Sequence, residues 1–206
     1  MVSPAAPTKK DVVAEFRRAT ILEAACRAFA RCGYDGTSVE TIAAEAHIAK
    51  GTVYLYYKSK EDIYHAAVTH GLQGLHADTE RALTLDCSCR EKIEQFIRLR
   101  FEYMERNHDF YRIYVSEFGD ARSRPSKVQE KMREMSLQQT RLLESVIAEA
   151  IAKGEIRPMP VGMTARAIYD VTRGLLQNRL LGFIDKDQTA DVQSVLDLLW
   201  NGLRAT

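Results

Sequence analysis

The sequence predicts an all-α fold of about nine helices, and three observations carry that prediction. Apolar residues recur three and four positions apart, as in Ile21, Leu22, Ala25 and Phe29 and again in Ile93, Phe96, Ile97, Phe101 and Met104. Capping-box patterns stand at Thr37–Glu40, Ser59–Asp62, Ser88–Glu91 and Ser126–Gln129, where a hydroxyl residue precedes an acid or amide by three positions. No stretch alternates apolar and polar residues over a useful strand length, and there is no internal repeat.

Residues 1–10 read as a flexible arm, with Pro4, Pro7 and two lysines. The first helix is expected from about Asp11 to Cys32, closed by Gly33 as the residue that can adopt the left-handed conformation. A second opens at Thr37 or Ser38 and buries a narrow stripe of Val39, Ile42, Ala43 and Ala46. A break at His47–Ala49 precedes a third, Lys50 to Tyr56. Ser59 starts a long fourth helix reaching about Leu85, and Ser88 starts a fifth. Asp109–Phe118 forms a shorter aromatic sixth, and Pro125–Ser126 opens a seventh that ends near Gly154. Gly154, Pro158 and Pro160 punctuate the chain before two last helices, Met163–Phe183 and Thr189–Arg204.

Composition narrows function less than pattern does. A chain of 206 residues that is 46% hydrophobic can bury a sizeable core, and a net charge of +1 gives no global field toward nucleic acid or acidic lipid. The charge is uneven, however: residues 1–60 carry nine Lys and Arg against six Asp and Glu. No apolar run approaches the roughly 18 residues of a membrane span, and the N-terminus has no signal-peptide core, so a cytoplasmic protein is expected. Its four cysteines are then expected to be reduced thiols.

Residues 37–61 are the most informative segment. They place two short helices around a tight turn, pinned by Ile42, Ala43, Ala46, Ile48 and Val53. Lys50, Gly51 and Thr52 are small or polar at the start of the second helix, which would let its N-terminus approach a duplex. Tyr54 and Tyr56 are two apart and cannot share the buried face of Val53 and Tyr57, so their phenols are candidate phosphate or thymine-methyl contacts. Lys58 and Lys60 follow; a lysine in the first turn of a helix opposes the dipole, which a neighbouring phosphate would explain.

Together with Arg18, Ile21–Leu22, Ala25, Phe29, Gly33–Tyr34, Thr37–Ser38, Ile42–Ala43, Gly51–Thr52, Tyr54, Tyr57 and Ser59–Lys60–Glu61, this segment resembles the tetracycline-repressor-like (TetR) family of bacterial transcription regulators. The resemblance covers the first quarter to third of the chain. It implies a homodimer with a DNA-binding helix-turn-helix domain, residues 1–58, and an effector-binding and dimerisation domain, residues 59–206. It further implies a palindromic double-stranded operator, a small-molecule effector, and DNA contacts from Thr37, Lys50, Gly51, Thr52, Tyr54, Tyr56 and Lys60; Ser38 and Lys58 join them as flanking polar residues. Two positions depart from the family pattern. His47 stands where glycine is usual in the turn and Ala49 where Ser or Thr caps, each costing about 1 kcal/mol, so a softer recognition helix is expected.

In the C-terminal two-thirds, aromatic and Met residues cluster on helices five to seven. Phe96, Tyr103, Phe110, Tyr111, Tyr114, Met132 and Met135 are candidate walls of an apolar effector site, with Phe101, Met104 and Phe118 nearby. Tyr169, Arg173 and Gln177, spaced four apart, could supply its polar groups, Arg173 toward an anionic one. A hydrophobic or aromatic effector is the expectation, against the alternative that the stripe is plain core. The last two helices are apolar nearly all round; Leu175, Leu176, Phe183, Val195, Leu199 and Trp200 are the candidate dimer interface, and Gly174, Gly182 and Gly202 could permit close helix approach there. Gly71 and Gly74 in the fourth helix mark either a bend or a close packing contact.

The rival within regulation is a metal or redox sensor using Cys87 and Cys89 with His65, His70 and His76, although the spacing matches no zinc pattern. The rival outside it is an enzyme. The sequence has no glycine-rich phosphate loop, nucleophile elbow or H-E-x-x-H, and Glu102 and Glu105 read as solvated faces. Neither a cofactor nor a resident metal is expected.

Overall fold

A computed structural model describes residues 8–119, 127–184 and 188–203. The arm up to Pro7, the Pro125–Ser126 start of the seventh helix, Arg204, and the surroundings of Phe118 and Gly202 lie outside the described residues. Among the described residues the chain forms nine α-helices and no strand.

Helix α1 (Lys9–Gly36) begins earlier than expected, because Thr8 and Asp11 form a complete capping box that draws Lys9 and Lys10 out of the arm. Gly33 breaks its dihedral pattern at φ 70°, the left-handed region where a side chain is strained. Helix α2 (Val39–Glu45) is capped by Ser38, whose hydroxyl accepts from the Thr41 amide; the expected Thr37 cap is therefore one residue off. Helix α3 (Lys50–Tyr54) follows His47 at φ 54° and has no side-chain cap at Ala49, so both departures from the family pattern have the anticipated backbone consequence.

Helix α4 (Lys60–Leu83), capped by Ser59, is the spine of the molecule and packs against α1, α5, α6 and α7. Helix α5 (Cys89–Arg106) opens with a complete Ser88–Glu91 capping box and turns at Asn107 into α6 (His108–Gly119). Helices α7 (Lys127–Ala152) and α8 (Val161–Leu180) form an antiparallel pair across the Gly154–Pro160 connection, where Gly154 sits at φ 71° and Ile156 is buried. Helix α9 (Gln188–Leu203) returns to lie on α5.

One apolar core runs from Ile21 to Leu196 without a break at residue 58. Helix α1 contributes to it by packing on both α4 and α6. The two glycines of α4 mark close packing rather than a bend. A Cβ on Gly71 would lie 2.6 Å from the Phe110 Cγ, and one on Gly74 would lie 2.5 Å from the Tyr103 hydroxyl. Those rings can approach the α4 backbone only because no side chain stands between, and the Tyr103 hydroxyl donates to the Gly71 carbonyl at 2.7 Å.

Candidate DNA-binding face and effector site

The turn between α2 and α3 is held from below by Ile42, Ala43 and Val53, all buried, which fixes one helix against the other and leaves a polar outer face. On that face Ser38, Lys50, Gly51, Tyr54 and Lys58 are exposed, and Thr52 is partly so. A Cβ on Gly51 would meet nothing within 4 Å, so the start of α3 is open to a large partner. Lys50 is paired with Glu40 and sits 5.7 Å from the Tyr54 ring centre. Its ion pair is solvent-exposed on both sides and of little stabilising weight, so exchange of Glu40 for a phosphate is inexpensive. Leu55, 80% exposed beside Tyr54, is a face residue that the sequence reading missed; its signal is an apolar residue out of step with Val53.

Three candidates are placed differently from expectation. Thr37 is 2% exposed, and its hydroxyl donates inward to the Gly33 carbonyl at 2.7 Å and the Ala28 carbonyl at 3.2 Å, so its side chain is not on the face. Lys60 lies at the edge with its ammonium on the carbonyls of Tyr34 (2.8 Å) and Thr37 (3.0 Å), 4.4 Å from the Tyr34 ring centre. It serves the negative end of α1, which accounts for a lysine in the first turn of α4 without any phosphate. Tyr56 is half-buried, packed on the core and covered by the Arg18 guanidinium at 5.6 Å from its ring centre.

The effector candidates converge more closely than spacing alone required. Phe110, Tyr111 and Tyr114 meet edge-on or tilted along α6, with ring centres 5.5–5.9 Å apart, and Tyr103 closes the group from α5. Tyr114 and Tyr169 face each other across α6 and α8 with hydroxyls 3.5 Å apart, and Phe96, Met132 and Met135 are buried in the same core. Arg173 pairs with Asp170 at 3.2 Å, and it and Gln177 are only partly buried. At its centre is a residue the sequence reading left out: Arg100, which is 0% exposed. Its signal was a cation on the apolar stripe of α5, one turn from both Phe96 and Met104.

Arg100 Nη1 donates to Gln139 Oε1 at 2.5 Å, and Gln139 Nε2 donates to Thr79 Oγ1 at 3.1 Å. The guanidinium lies 4.7 Å from the Tyr169 ring centre and 5.3 Å from that of Phe96. Burial alone would raise the Tyr169 hydroxyl, but the Arg100 charge, with hydrogen bonds from its neighbours, holds it below the usual phenol range.

A cleft of about 350 Å³ opens beside this cluster, where α1, α4 and the α5–α6 corner meet. Tyr103, Phe110, Leu22 and Cys26 form its floor, with Glu23, Arg27, Arg106 and Asp109 among its charged lining. From there the chain links the two ends of the molecule: Tyr64 of α4 donates to Glu117 of α6 at 2.5 Å, and its ring packs 4.8 Å from Phe29 and 5.0 Å from Tyr34 of α1.

Burial raises several protons' affinities at once. Desolvation pushes the Cys26 thiol up to about 12, Cys89 to about 11 and the Tyr111 hydroxyl to about 12. The folded state therefore keeps protons that the unfolded chain releases above about pH 9 to 10, and stability present below that range falls as pH rises toward 11–12. For Tyr111 alone the slope is about 1.4 kcal/mol per pH unit. Chemical denaturation at pH 8, 9.5 and 11 should show a falling midpoint; a flat profile would contradict these environments.

Among the described residues no group of three His, Cys, Asp or Glu could hold a metal ion. Cys87 and Cys89 border a space of only about 10 Å³ with Lys92, Glu149 and Lys153, and all four cysteines are free. Among the described residues no helix is long and apolar enough to cross a membrane.

On the dimer side, Leu176 (1% exposed) and Val195 (6% exposed) are corrections: both point into their own subunit's core. Leu175, Leu199 and Trp200 are partly buried, with Arg90 over the Trp200 ring at 5.6 Å. Phe183 is 75% exposed, and Val171, Leu181 and Leu198 extend the same kind of uncovered apolar surface on and near α8 and α9.

Comparison with known proteins agrees with this layout. A family model described as "Bacterial regulatory proteins, tetR family" matches residues 21–67, and one described as "Tetracyclin repressor-like, C-terminal domain" matches residues 86–177. The chain is 26% identical over 187 residues to the Fatty acid metabolism regulator protein of Bacillus subtilis, covering 89% of this chain and 93% of that one. It is 28% identical over 157 residues to the HTH-type transcriptional repressor KstR2 of Mycolicibacterium smegmatis, covering 76% of each. Among solved structures it superposes on the transcriptional regulator FadR from Bacillus subtilis in complex with stearoyl-CoA with a TM-score of 0.76 at 25% identity, over 88% of this chain and 96% of that one. With its helix-turn-helix face and its buried aromatic cluster, the chain belongs to the TetR family, as a dimeric, ligand-responsive DNA-binding transcriptional regulator.

Proposed function

We propose that this repressor leaves a palindromic operator when an acyl compound, free or as a thioester, enters the cluster between α5 and α8. The observation that carries the reading is the cluster itself: apolar aromatic walls, two buried methionines and inward hydroxyls on α6 and α8. The stearoyl-CoA complex of a 25% identical solved structure and the fatty-acid role in the name of a Bacillus subtilis relative support the ligand class. Residues 1–58 are assigned to DNA and 59–206 to effector and dimer contacts. Ser38, Lys50, Gly51, Thr52, Tyr54 and Lys58 make the duplex contacts, with Tyr56 and Lys60 at the margin. Val171, Leu175, Leu181, Phe183, Leu198, Leu199 and Trp200 form the subunit interface. The work is binding, not catalysis, and its place is the cytoplasm with the DNA.

The experiment is a gel-shift titration on DNA from upstream of its own gene. Stearoyl-CoA should release the duplex at micromolar concentration where CoA alone does not, and retention should fall steeply with salt. DNA binding untouched by every acyl-CoA and fatty acid from C8 to C20 would remove the acyl reading.

A further inference from the structure

Arg100 is a buried cation with no carboxylate partner among the described residues. Its Nε and Nη2 have no hydrogen-bond partner among the described residues, and neither does the neighbouring Tyr111 hydroxyl. Removing a guanidinium from water costs several kcal/mol unless an acceptor replaces that water, and such residues are almost never fully buried unpaired. The orientation is not accidental. Nη1 is tied to Gln139, Gln139 to Thr79, and the Thr79 hydroxyl to the Leu75 carbonyl at 2.9 Å, a chain that anchors one corner of the fork to α4. The edge left over, Nε with Nη2, presents two parallel donors, the geometry that takes a carboxylate bidentately.

The aromatic surroundings also have a sign. Phe96 and Tyr169 offer ring faces to the cation, and the phenols of Tyr111, Tyr114 and Tyr169 converge on the same region from α6 and α8. None of these groups is a carboxylate, so among the described residues no acidic side chain neutralises the charge they surround. Met132 and Met135 are buried in the same apolar core, and methionine side chains can repack around an incoming group.

We propose that Arg100, with the Tyr111 hydroxyl, forms a buried anion subsite that receives a carboxylate carried into the aromatic cluster by the effector. This rests on the reading of that cluster as the effector site, and sharpens it: a plain saturated chain would leave the guanidinium unpaired, whereas an acid would not. The carboxylate has two sources, a free carboxylic acid or the far end of an ω-carboxyacyl thioester.

Calorimetric titration of the intact dimer with two matched pairs separates them: dodecanoate against dodecan-1-ol, and dodecanedioyl-CoA against dodecanoyl-CoA. The wild-type protein should prefer the added carboxylate in one pair by at least about 10-fold, and which pair does so identifies the source. Arg100→Met should bind both members of that pair within about 2-fold of each other, and Arg100→Lys, which keeps the charge but loses the fork, should fall between. Wild-type binding of the apolar members with no carboxylate preference in either pair overturns the subsite alone. So does a preference undiminished in Arg100→Met, or in Arg100→Lys if the Met variant does not fold. Failure of all four compounds to bind overturns the acyl-effector reading and the subsite with it.

Discussion

Gly71→Ala should destabilise the protein and blunt its response to effector, although alanine is the better helix former. On propensity alone the change would stabilise α4 by about 1 kcal/mol. The added methyl, however, would lie 2.6 Å from the Phe110 Cγ and closer still to one ring edge, well inside van der Waals contact. Phe110 is 4% exposed and flanked by Tyr103, Tyr111 and Tyr114, so its ring can shift only toward the cleft, at the cost of these ring contacts. Overpacking of this kind costs about 1–3 kcal/mol, and the steric term wins. The same methyl would disturb the Tyr103 hydroxyl where it meets the Gly71 carbonyl, and so the joint between the effector cluster and the helix that carries the DNA-binding end. A net loss of about 1–2 kcal/mol corresponds to a drop of several degrees in Tm for a chain of this size. Differential scanning calorimetry decides the sign, and a raised Tm would mean that propensity outweighs the contact. Gly74→Ala should be milder, because its methyl meets mainly the end of the Tyr103 side chain.

The contrast between helix positions and side-chain roles shows where the sequence is legible. Capping boxes, apolar spacing and the Gly154–Pro160 punctuation are local signals, and they placed eight of the helix starts that fall on described residues to within three positions. The backbone at His47 and Ala49 followed from residue type in the same way. What spacing could not supply was direction. Thr37 and Lys60 have the residue types of DNA contacts, yet one turns inward and the other is held by carbonyls at the end of α1, a helix end 23–26 residues away in sequence. Leu176 and Val195 are as apolar as Phe183, and only the packing of α8 and α9 on their own subunit separates core from open surface. Arg100 was hidden for the opposite reason: charged residues are presumed solvated, and its burial depends on α5, α6, α7 and α8 closing together. The aromatic residues around it could be listed from sequence, but their common centre could not.

Gly51→Glu should abolish operator binding while leaving the fold intact or slightly firmer. Gly51 is at the second position of α3, exposed, with open space where a side chain would go. Replacing glycine there gains helix propensity, and a carboxylate in the first turn interacts favourably with the helix dipole, the second effect alone about 0.3–1 kcal/mol. Against DNA the signs reverse. The new carboxylate would stand beside Lys50 on the surface that must approach the phosphates, both crowding the contact and repelling it, and like-charge juxtaposition at an interface costs several kcal/mol. At 1.4 kcal/mol for each tenfold, affinity should fall by about 100-fold or more. Because α3 lies at the far end of the molecule from Arg100 and Tyr169, effector binding measured without DNA should be unchanged. The pairing of an undiminished Tm and unchanged effector affinity with lost DNA binding is what distinguishes a contact surface from a structural turn. Operator affinity within about threefold of wild type would mean that the start of α3 does not face the duplex, and that the recognition surface has to be sought around Tyr54, Leu55 and Lys58 instead.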